Sequence, residues 1–429
     1  MLTQPLVESL AALTQDELPS LIAIYERLHA HPELSGQERE TAALLAAELK
    51  VLGFRVTEGI GRYRRFDWPG YGILAVLENG TGPTVLVRAD MDALPVEEKT
   101  GLPYASAERG IYRDGIEVPV MHACGHDVHM ACLLGAARVL SRCRENWSGT
   151  LVLIGQPGEE GGDGAQAMID DGAYRLCPKP DYALALHSTL FLKAGTIGYA
   201  PGRFLASFTE VEVVVRGVGA HGSAPECGKD PVVLAAQLVL AFQTIVSREI
   251  SPHEPAVLTV GSIHGGAASN VIPEEVVLQL SIRSFDDGVR DRIVESVRRI
   301  GRGTALAAGV PEDLAPTVTV VASHPATCND PELAERVAGA VRTALGDENV
   351  VLSPARMVSE DFASWGLCGA VPICMFWLGG ADPLRFEECR LRGSSLPSQH
   401  SPLYAPDPER TIRGGVTAFA AAVCDLLPK

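Results

Sequence analysis

Residues 150–160 read Thr150-Leu-Val-Leu-Ile-Gly155-Gln-Pro-Gly-Glu159-Glu160, an apolar run that breaks at a Pro-Gly turn and ends in two adjacent carboxylates. Runs of the same kind occupy residues 84–89 and 181–186, the first followed by Asp90 and Asp92, the second by His187. Short, near-continuous apolar segments suit strands covered on both faces, and helical patterns at 131–140 and 164–171 lie between them. The layer pattern is α/β. Open sheets of this kind bind ligands outside the carboxyl ends of their strands, where these acids and this imidazole fall.

Working outward, Thr14-Gln-Asp-Glu17 and Ser35-Gly-Gln-Glu38 read as capping boxes and predict two N-terminal helices. The first carries Leu21, Ile22, Tyr25 and Leu28; the second carries Ala42, Leu45, Leu49 and Leu52 and stops at Gly53. From residue 204 the texture changes. Strand patterns at 208–215, 256–263, 276–284 and 318–321 alternate with helical patterns at 231–246 and 289–308. That β-α-β-β-α-β order is ferredoxin-like and predicts a compact second domain over 204–322. It would be inserted into a discontinuous α/β domain of residues 1–203 and 323–429, whose last part holds helices at 331–345 and 411–427 and a buried segment at 371–378.

A chain of 429 residues has room for two or three domains, at roughly 150 residues each. Hydrophobic residues make up 46% and charged residues 21%, the balance of a folded globular protein. Its 53 acidic against 36 basic residues leave 17 net negative charges, which argues against nucleic acid and anionic membranes as partners. Ten cysteines occur singly, with no Cys-x-x-Cys pair, so neither a zinc knuckle nor a disulfide framework is indicated. A reducing compartment, the cytoplasm, is the expectation. The first residues lack a basic stretch followed by an apolar one, unlike a signal peptide, and no apolar run is expected to cross a bilayer.

The densest constellation is His122-Ala-Cys124-Gly-His126-Asp127-Val-His129, just ahead of a predicted helix. Cys124 and His126, one glycine apart, can aim from a single turn at one cation. Glu159 and Glu160 offer a division of labour in which one carboxylate binds metal and its neighbour takes the proton of a polarised water. Each signal alone has a plainer reading: a capping turn with a buried thiol, or a solvated acidic loop. Their coincidence at several strand ends is what argues for a site. His400, in Leu396-Pro-Ser-Gln-His400-Ser-Pro402, carries little by itself.

Seven motifs in order, His31-Pro-Glu-Leu-Ser35, Arg88-Ala-Asp-Met-Asp-Ala-Leu-Pro95, Met121-His-Ala-Cys-Gly-His-Asp127, Gln156-Pro-Gly-Glu-Glu-Gly161, Gly219-Ala-His-Gly-Ser223, Asn270-Val-Ile-Pro273 and Ser359-Glu-Asp-Phe362, span nearly the whole chain. Together they resemble the amidohydrolase branch of the dinuclear-metal aminoacylase and carboxypeptidase family, which includes hippurate hydrolases, auxin-conjugate hydrolases and N-acyl-amino-acid deacetylases. The resemblance implies hydrolysis of N-acyl amino acids by a metal-activated water. It implies two divalent ions, zinc first, with manganese, cobalt or nickel as alternatives, held by Cys124, His126, Glu160, His187 and His400. Glu159 is then the general base, and Asp92 orients a ligand from behind; Asp90 stands where more distant relatives have a metal-binding histidine. His221, from the inserted dimerisation and lid domain, resembles the residue that stabilises the oxyanion, commonly in the partner subunit of a homodimer. Asn270 and Arg283 resemble residues that hold the substrate amide or its carboxylate.

Residues 62–70, Arg-Tyr-Arg-Arg-Phe-Asp-Trp-Pro-Gly, look like an insertion relative to that family. A plain surface loop is the default reading, and a rim bearing Phe66 and Trp68 the functional one. The segment after His187, Ser-Thr-Leu-Phe-Leu192, is also less typical and would reshape the pocket. Rival functions are a cysteine hydrolase with Cys124 as nucleophile, a dipeptidase or carboxypeptidase of the same family, and a silent metal-binding scaffold. Intact Glu159 and a full ligand set disfavour the scaffold.

Overall fold

A computed structural model describes residues 2–62, 68–113, 115–161 and 163–429. Helices α1 (Gln4–Ala30) and α2 (Arg39–Val51) lead into strands β1 (Arg55–Ile60) and β2 (Gly72–Asn79). Strand β3 (Thr84–Asp90), helix α3 (His126–Arg142), strand β4 (Gly149–Gln156), helix α4 (Gly164–Asp170) and strands β5 (Tyr182–Lys193) and β6 (Ile197–Tyr199) follow. The chain then forms β7 (Phe208–Arg216), α5 (Pro231–Thr244), β8 (Ala256–Gly265), β9 (Glu275–Ser284), α6 (Asp287–Ala307) and β10 (Thr317–His324). It closes with α7 (Pro331–Leu345), β11 (Val350–Leu352), β12 (Ile373–Ala381), α8 (Pro383–Arg392) and α9 (Pro408–Leu426).

Two compact units result, one of Met1–Phe204, Cys328–Pro354 and Asp361–Lys429, the other of Leu205–Thr327 and Ala355–Glu360. The first holds an eight-stranded mixed sheet in the order β1-β2-β4-β3-β5-β12-β6-β11. Its centre is parallel: β3 pairs with β4 and β5, and β5 with β12. Every residue of β3 and β4 is buried, as continuous hydrophobicity requires of strands covered on both faces. Val85, Val87, Leu151, Leu153, Leu184 and Leu186 face one core with Leu21, Tyr25, Leu133 and Phe419 of α1, α3 and α9, while Leu86, Val152, Ile154 and Ala183 are buried on the opposite face.

The second unit is an antiparallel sheet in the order β8-β9-β7-β10 with α5 and α6 packed on it. That order is the ferredoxin-like one, and the alternating burial of β7 and β9 presents Val211, Val213, Leu278 and Leu280 to Leu234, Leu238, Phe242, Ile293 and Val297.

Four expectations need correction. Thr14 is not a cap: α1 already runs from Gln4, because Leu10, Thr14, Leu18, Leu21, Tyr25 and Leu28 form one unbroken buried stripe at helical spacing. Ser35 and Glu38 do not cap α2 with their side chains either. The carboxylate of Glu33 does, accepting from Glu40 N at 3.2 Å and Thr41 N at 2.8 Å. Strand β5 outruns residues 181–186 because β12 stays paired with it through Thr189 and again at Lys193, so His187 lies within the strand. Finally, Pro231–Glu249 is, by length and composition, apolar enough to cross a bilayer. Its inward face, Leu234, Leu238, Phe242 and Ile245, packs on the second unit's sheet.

Candidate metal centre

Strand β3 is the sheet's switch point: its connection leads to β4 on one side, and the connection from β4 leads to β5 on the other. A crevice opens at the carboxyl ends of such strands. Asp90 ends β3 and Asp92 follows it; Glu159 and Glu160 follow β4; His187 comes from β5. Cys124 and His126 flank Gly125, which precedes α3 with φ at +83°. A Cβ on Gly125 would stand 2.1 Å from Ser188 Oγ, so both the dihedral and the close approach demand glycine. His400 also has positive φ, +66°, unusual for a side-chain-bearing residue, and its N–H donates to Ala123 O at 2.8 Å. That bond ties the late loop to the turn holding Cys124.

The structure brings six predicted residues together. Donor atoms of Cys124, His126 and His187 lie within 4.8 Å of one another, as do those of Cys124, Glu160 and His400, and those of His126, Glu159 and Glu160. Nδ1–H of His126 donates to Asp92 O at 2.7 Å and Nδ1–H of His187 to Ser188 O at 2.9 Å, so each ring presents an Nε2 lone pair. His187 Nε2 faces Cys124 Sγ at 3.5 Å, and His400 Nε2 approaches Glu160 Oε1 at 3.2 Å. Among the described residues, buried Nε2 of His126 and Oε1 of Glu160 make no well-aligned hydrogen bond.

Electrostatics say the same. Although burial opposes its charging, Asp90, Asp92 and Glu160 raise the His126 pKa to about 10. Burial first, then Glu160, Glu159 and Asp90, push the Cys124 thiol well above its ordinary range. Burial lowers His187 to about 4, which keeps it neutral and able to ligate. A pocket that demands a proton on His126 and withholds the thiolate from Cys124 lacks positive charge at its centre. Orphaned donors, overlapping sets and one thiolate, one carboxylate and imidazoles fit a pair of divalent cations.

Supporting bonds fix this geometry. Asp92 Oδ1 accepts from Glu159 N at 3.1 Å, and its Oδ2 from Glu160 N at 2.9 Å and Ser35 Oγ at 2.6 Å. Glu38, buried, accepts from Gly158 N at 2.8 Å and steadies the same turn. The residues that look like a capping box are therefore spent on the acidic loop. Asp90 is held by Arg88 Nη1 at 2.6 Å and by His129 Nδ1 at 2.5 Å. His129 Nε2 in turn accepts from Ser188 N at 2.8 Å. Both ring nitrogens are occupied, so His129 has no lone pair for an ion despite lying among metal-compatible groups.

Sequence reasoning missed this chain of Arg88, Asp90, His129 and Ser188. Ser188 also joins Cys124 O at 3.2 Å and Tyr404 Oη at 2.9 Å, which makes it the strut between His187 and the Cys124 turn. Its only sequence signal was adjacency to His187.

In the second unit, His221 and Asn270 are exposed neighbours on a small ladder that pairs His221 with Val271. His221 Nδ1 accepts from Ser223 N at 3.1 Å and lies 2.7 Å from Ser223 Oγ, leaving Nε2 outermost on the ring. Arg283 is half-buried on β9, its guanidinium 5.4 Å from the Phe208 ring centroid. Phe66 of the 62–70 segment lies outside the described residues, and Trp68 is half-buried.

The sequence profile of Peptidase family M20/M25/M40 matches residues 86–388. An N-acetyl-L-cysteine deacetylase of Bacillus subtilis is 38% identical over 350 residues, covering 80% of this chain and 76% of the relative. A hippurate hydrolase of Campylobacter jejuni is 36% identical over 341 residues, covering 79% and 83%. Among solved structures, a dinuclear metal binding peptidase of the M20 family from Bacillus subtilis superposes with a TM-score of 0.74 at 26% identity, covering 95% of this chain and 98% of that one.

Proposed function

The chain belongs to peptidase family M20/M25/M40 and is a metal-dependent amidohydrolase, and from that premise we propose that it cleaves N-acyl amino acids with Glu159 as general base. The observation that carries the role of Glu159 is its placement. Its backbone is pinned by Asp92, its side chain is 11% exposed, and its Oε2 lies 3.9 Å from His126 Nε2, which makes no well-aligned hydrogen bond among the described residues.

In this reading Cys124, His126, Glu160, His187 and His400 hold the two ions. Zinc is the first choice for a donor set of intermediate softness, with manganese, cobalt and nickel behind it. When bound, the ions polarise the scissile carbonyl and lower the pKa of water. Glu159 takes the water's proton as the carbonyl is attacked and returns it to the leaving amine. His221 donates from Nε2 to the oxyanion, while Asn270 and Arg283 hold the amide and the amino-acid carboxylate. Asp92 orients His126 and the acidic loop together.

The second unit serves as lid and as the interface of a homodimer in which His221 acts across to the partner's site. Val232, Val233 and Leu240 of α5 are 42%, 54% and 73% exposed, and β8 is an open sheet edge, which supports pairing there. All ten thiols are free, in keeping with a cytoplasmic location.

The test is elemental analysis alongside hydrolysis of hippurate, N-acetyl-methionine, an indole-acetyl amino acid and a dipeptide, for wild type and Glu159→Gln. Two metals per chain in both proteins, with kcat in the variant down at least about 10²-fold, is the expected result. An active Glu159→Gln enzyme would remove Glu159 from its role, and preference for the dipeptide would move the substrate class to peptides.

A further inference from the structure

The two donor groups that share Cys124 are built differently. Cys124, His126 and His187 are all buried and come from the turn ahead of α3 and from β5. In the other group Cys124 meets Glu160 and His400. His400 lies in the loop between α8 and α9, and its side chain is 55% exposed. Its φ of +66° is a strained choice for a residue with a side chain, and such a conformation persists only where the surroundings over-determine it.

Backbone bonds hold that loop at two points, from His400 N to Ala123 O and from Lys99 N to Pro402 O, both 2.8 Å. Two of its side chains add ties, and both end on Ser188. Gln399 Nε2 donates to Ser188 O at 3.2 Å, the same carbonyl that accepts from His187 Nδ1. Tyr404 Oη lies 2.9 Å from Ser188 Oγ. Because the Ser188 hydroxyl gives its proton to Cys124 O, the phenol of Tyr404 is the donor to Ser188, and the chain runs Tyr404 to Ser188 to Cys124. Tyr404 and Ser188 are fully buried. The Tyr404 ring packs with Met121 and Ala123 on the Cys124 turn, where a Cβ on Gly125 would stand 3.2 Å from its Cε1.

We propose that Ser188, Gln399 and Tyr404 are positioning residues that latch His400 beside Cys124, and that this latch sets how firmly one ion of the pair is held. The proposal rests on the ligand assignment above and adds to it residues that touch no ion. With the latch closed, the exposed imidazole of His400 is already placed before an ion arrives. With it open, the loop is ordered only as the ion binds, and that ordering weakens binding. The group of Cys124, His126 and His187 does not use the loop, so the latch acts on one ion and spares the other.

The experiment dialyses the zinc-loaded, full-length protein against a graded series of dipicolinate and counts ions per chain by elemental analysis. In Tyr404→Phe, which removes one hydroxyl and keeps the ring, the first ion should leave at about tenfold less chelator than in wild type, while release of the second stays in place. Ser188→Ala should shift the first step at least as far. The double variant should go no further than Ser188→Ala, because both changes break the same chain of hydroxyls. Ser401→Ala is the control: its hydroxyl lies in the same loop but serves Leu403 N, and both steps should stay where they are. Unshifted release in Tyr404→Phe and Ser188→Ala, even with a lowered Tm, overturns the latch and leaves Ser188 a structural strut. Equal shifts of both ions, or a matching shift in Ser401→Ala, overturn it as well. Wild type that never holds two ions would instead overturn the ligand assignment, and the latch with it.

Discussion

A buried imidazole nitrogen without a well-aligned hydrogen bond, facing three carboxylates, is an unfinished interaction, and among the described residues His126 Nε2 is in that state beside Asp90, Glu159 and Glu160. Contrast His29, a buried histidine whose interactions are complete. Its Nδ1 meets Asp127 Oδ2 at 2.7 Å and its Nε2 meets Glu98 Oε1 at 3.1 Å. Burial opposes its charging, yet these bonds raise its pKa from 6.5 to about 10. Because the folded value is the higher, this stability is fully present below pH 6.5 and is lost as pH rises through about 10. Asp127 and Glu98, whose carboxyls are depressed despite burial, add stability that is lost as pH falls through their folded values. His29→Gln should therefore flatten the fall in Tm between pH 8 and about 10.5 while lowering Tm at neutral pH. An unaltered alkaline arm would show that His29 is neutral in the fold. At this scale the metal-compatible residues were legible, because thiol, imidazole and carboxylate in one short motif have few other uses. The roles of His129 and Ser188 were not, since a satisfied and an unsatisfied imidazole look alike in a sequence.

The same divide runs through the secondary structure. Elements whose core-facing pattern is strong, such as β3, β4, β7, β9 and α7, fall where periodicity puts them, because burial of apolar surface decides them. Ends decided by a polar side chain were misread, since one hydroxyl or carboxylate can serve a cap or a site equally well. Ser35 and Glu38 went to Asp92 and Gly158, and the duty of capping α2 passed to Glu33, outside the motif. Two predicted roles therefore separate experimentally. Glu33→Ala should cost about 1 kcal/mol of stability in urea and leave metal content at two ions. Ser35→Ala should leave the helix intact, and its effect should appear in activity through the acidic loop. If Glu33→Ala instead lost metal at unchanged stability, the carboxylate would belong to the site and not to the helix.

Across the molecule, the β-α-β-β-α-β order was legible from periodicity, and it yields a sheet with β8 at one edge and an apolar outer face on α5 beside it. Nothing in a string of residues shows which face of an apolar helix stays uncovered; the structure shows Leu240 at 73% and Val233 at 54% exposed, with Ile263 of β8 at 50%. An unpaired edge strand next to exposed leucine and valine is an invitation to self-association that a chain carrying 17 net negative charges would otherwise resist. Pairing β8 with its copy across a two-fold axis would satisfy the edge and cover α5 at once. Leu240→Glu places a charge in that interface without touching the donors near Cys124. Sedimentation is expected to show a dimer for wild type and a monomer for this variant, and elemental analysis should still find two ions per chain. If His221 serves the partner's site, turnover falls with dissociation, and mixing two inactive variants with intact interfaces, His221→Ala and Glu159→Gln, restores part of it, because the mixed dimer pairs an intact Glu159 with the other chain's His221. A monomer with full activity would place His221 within its own chain's site or outside the reaction.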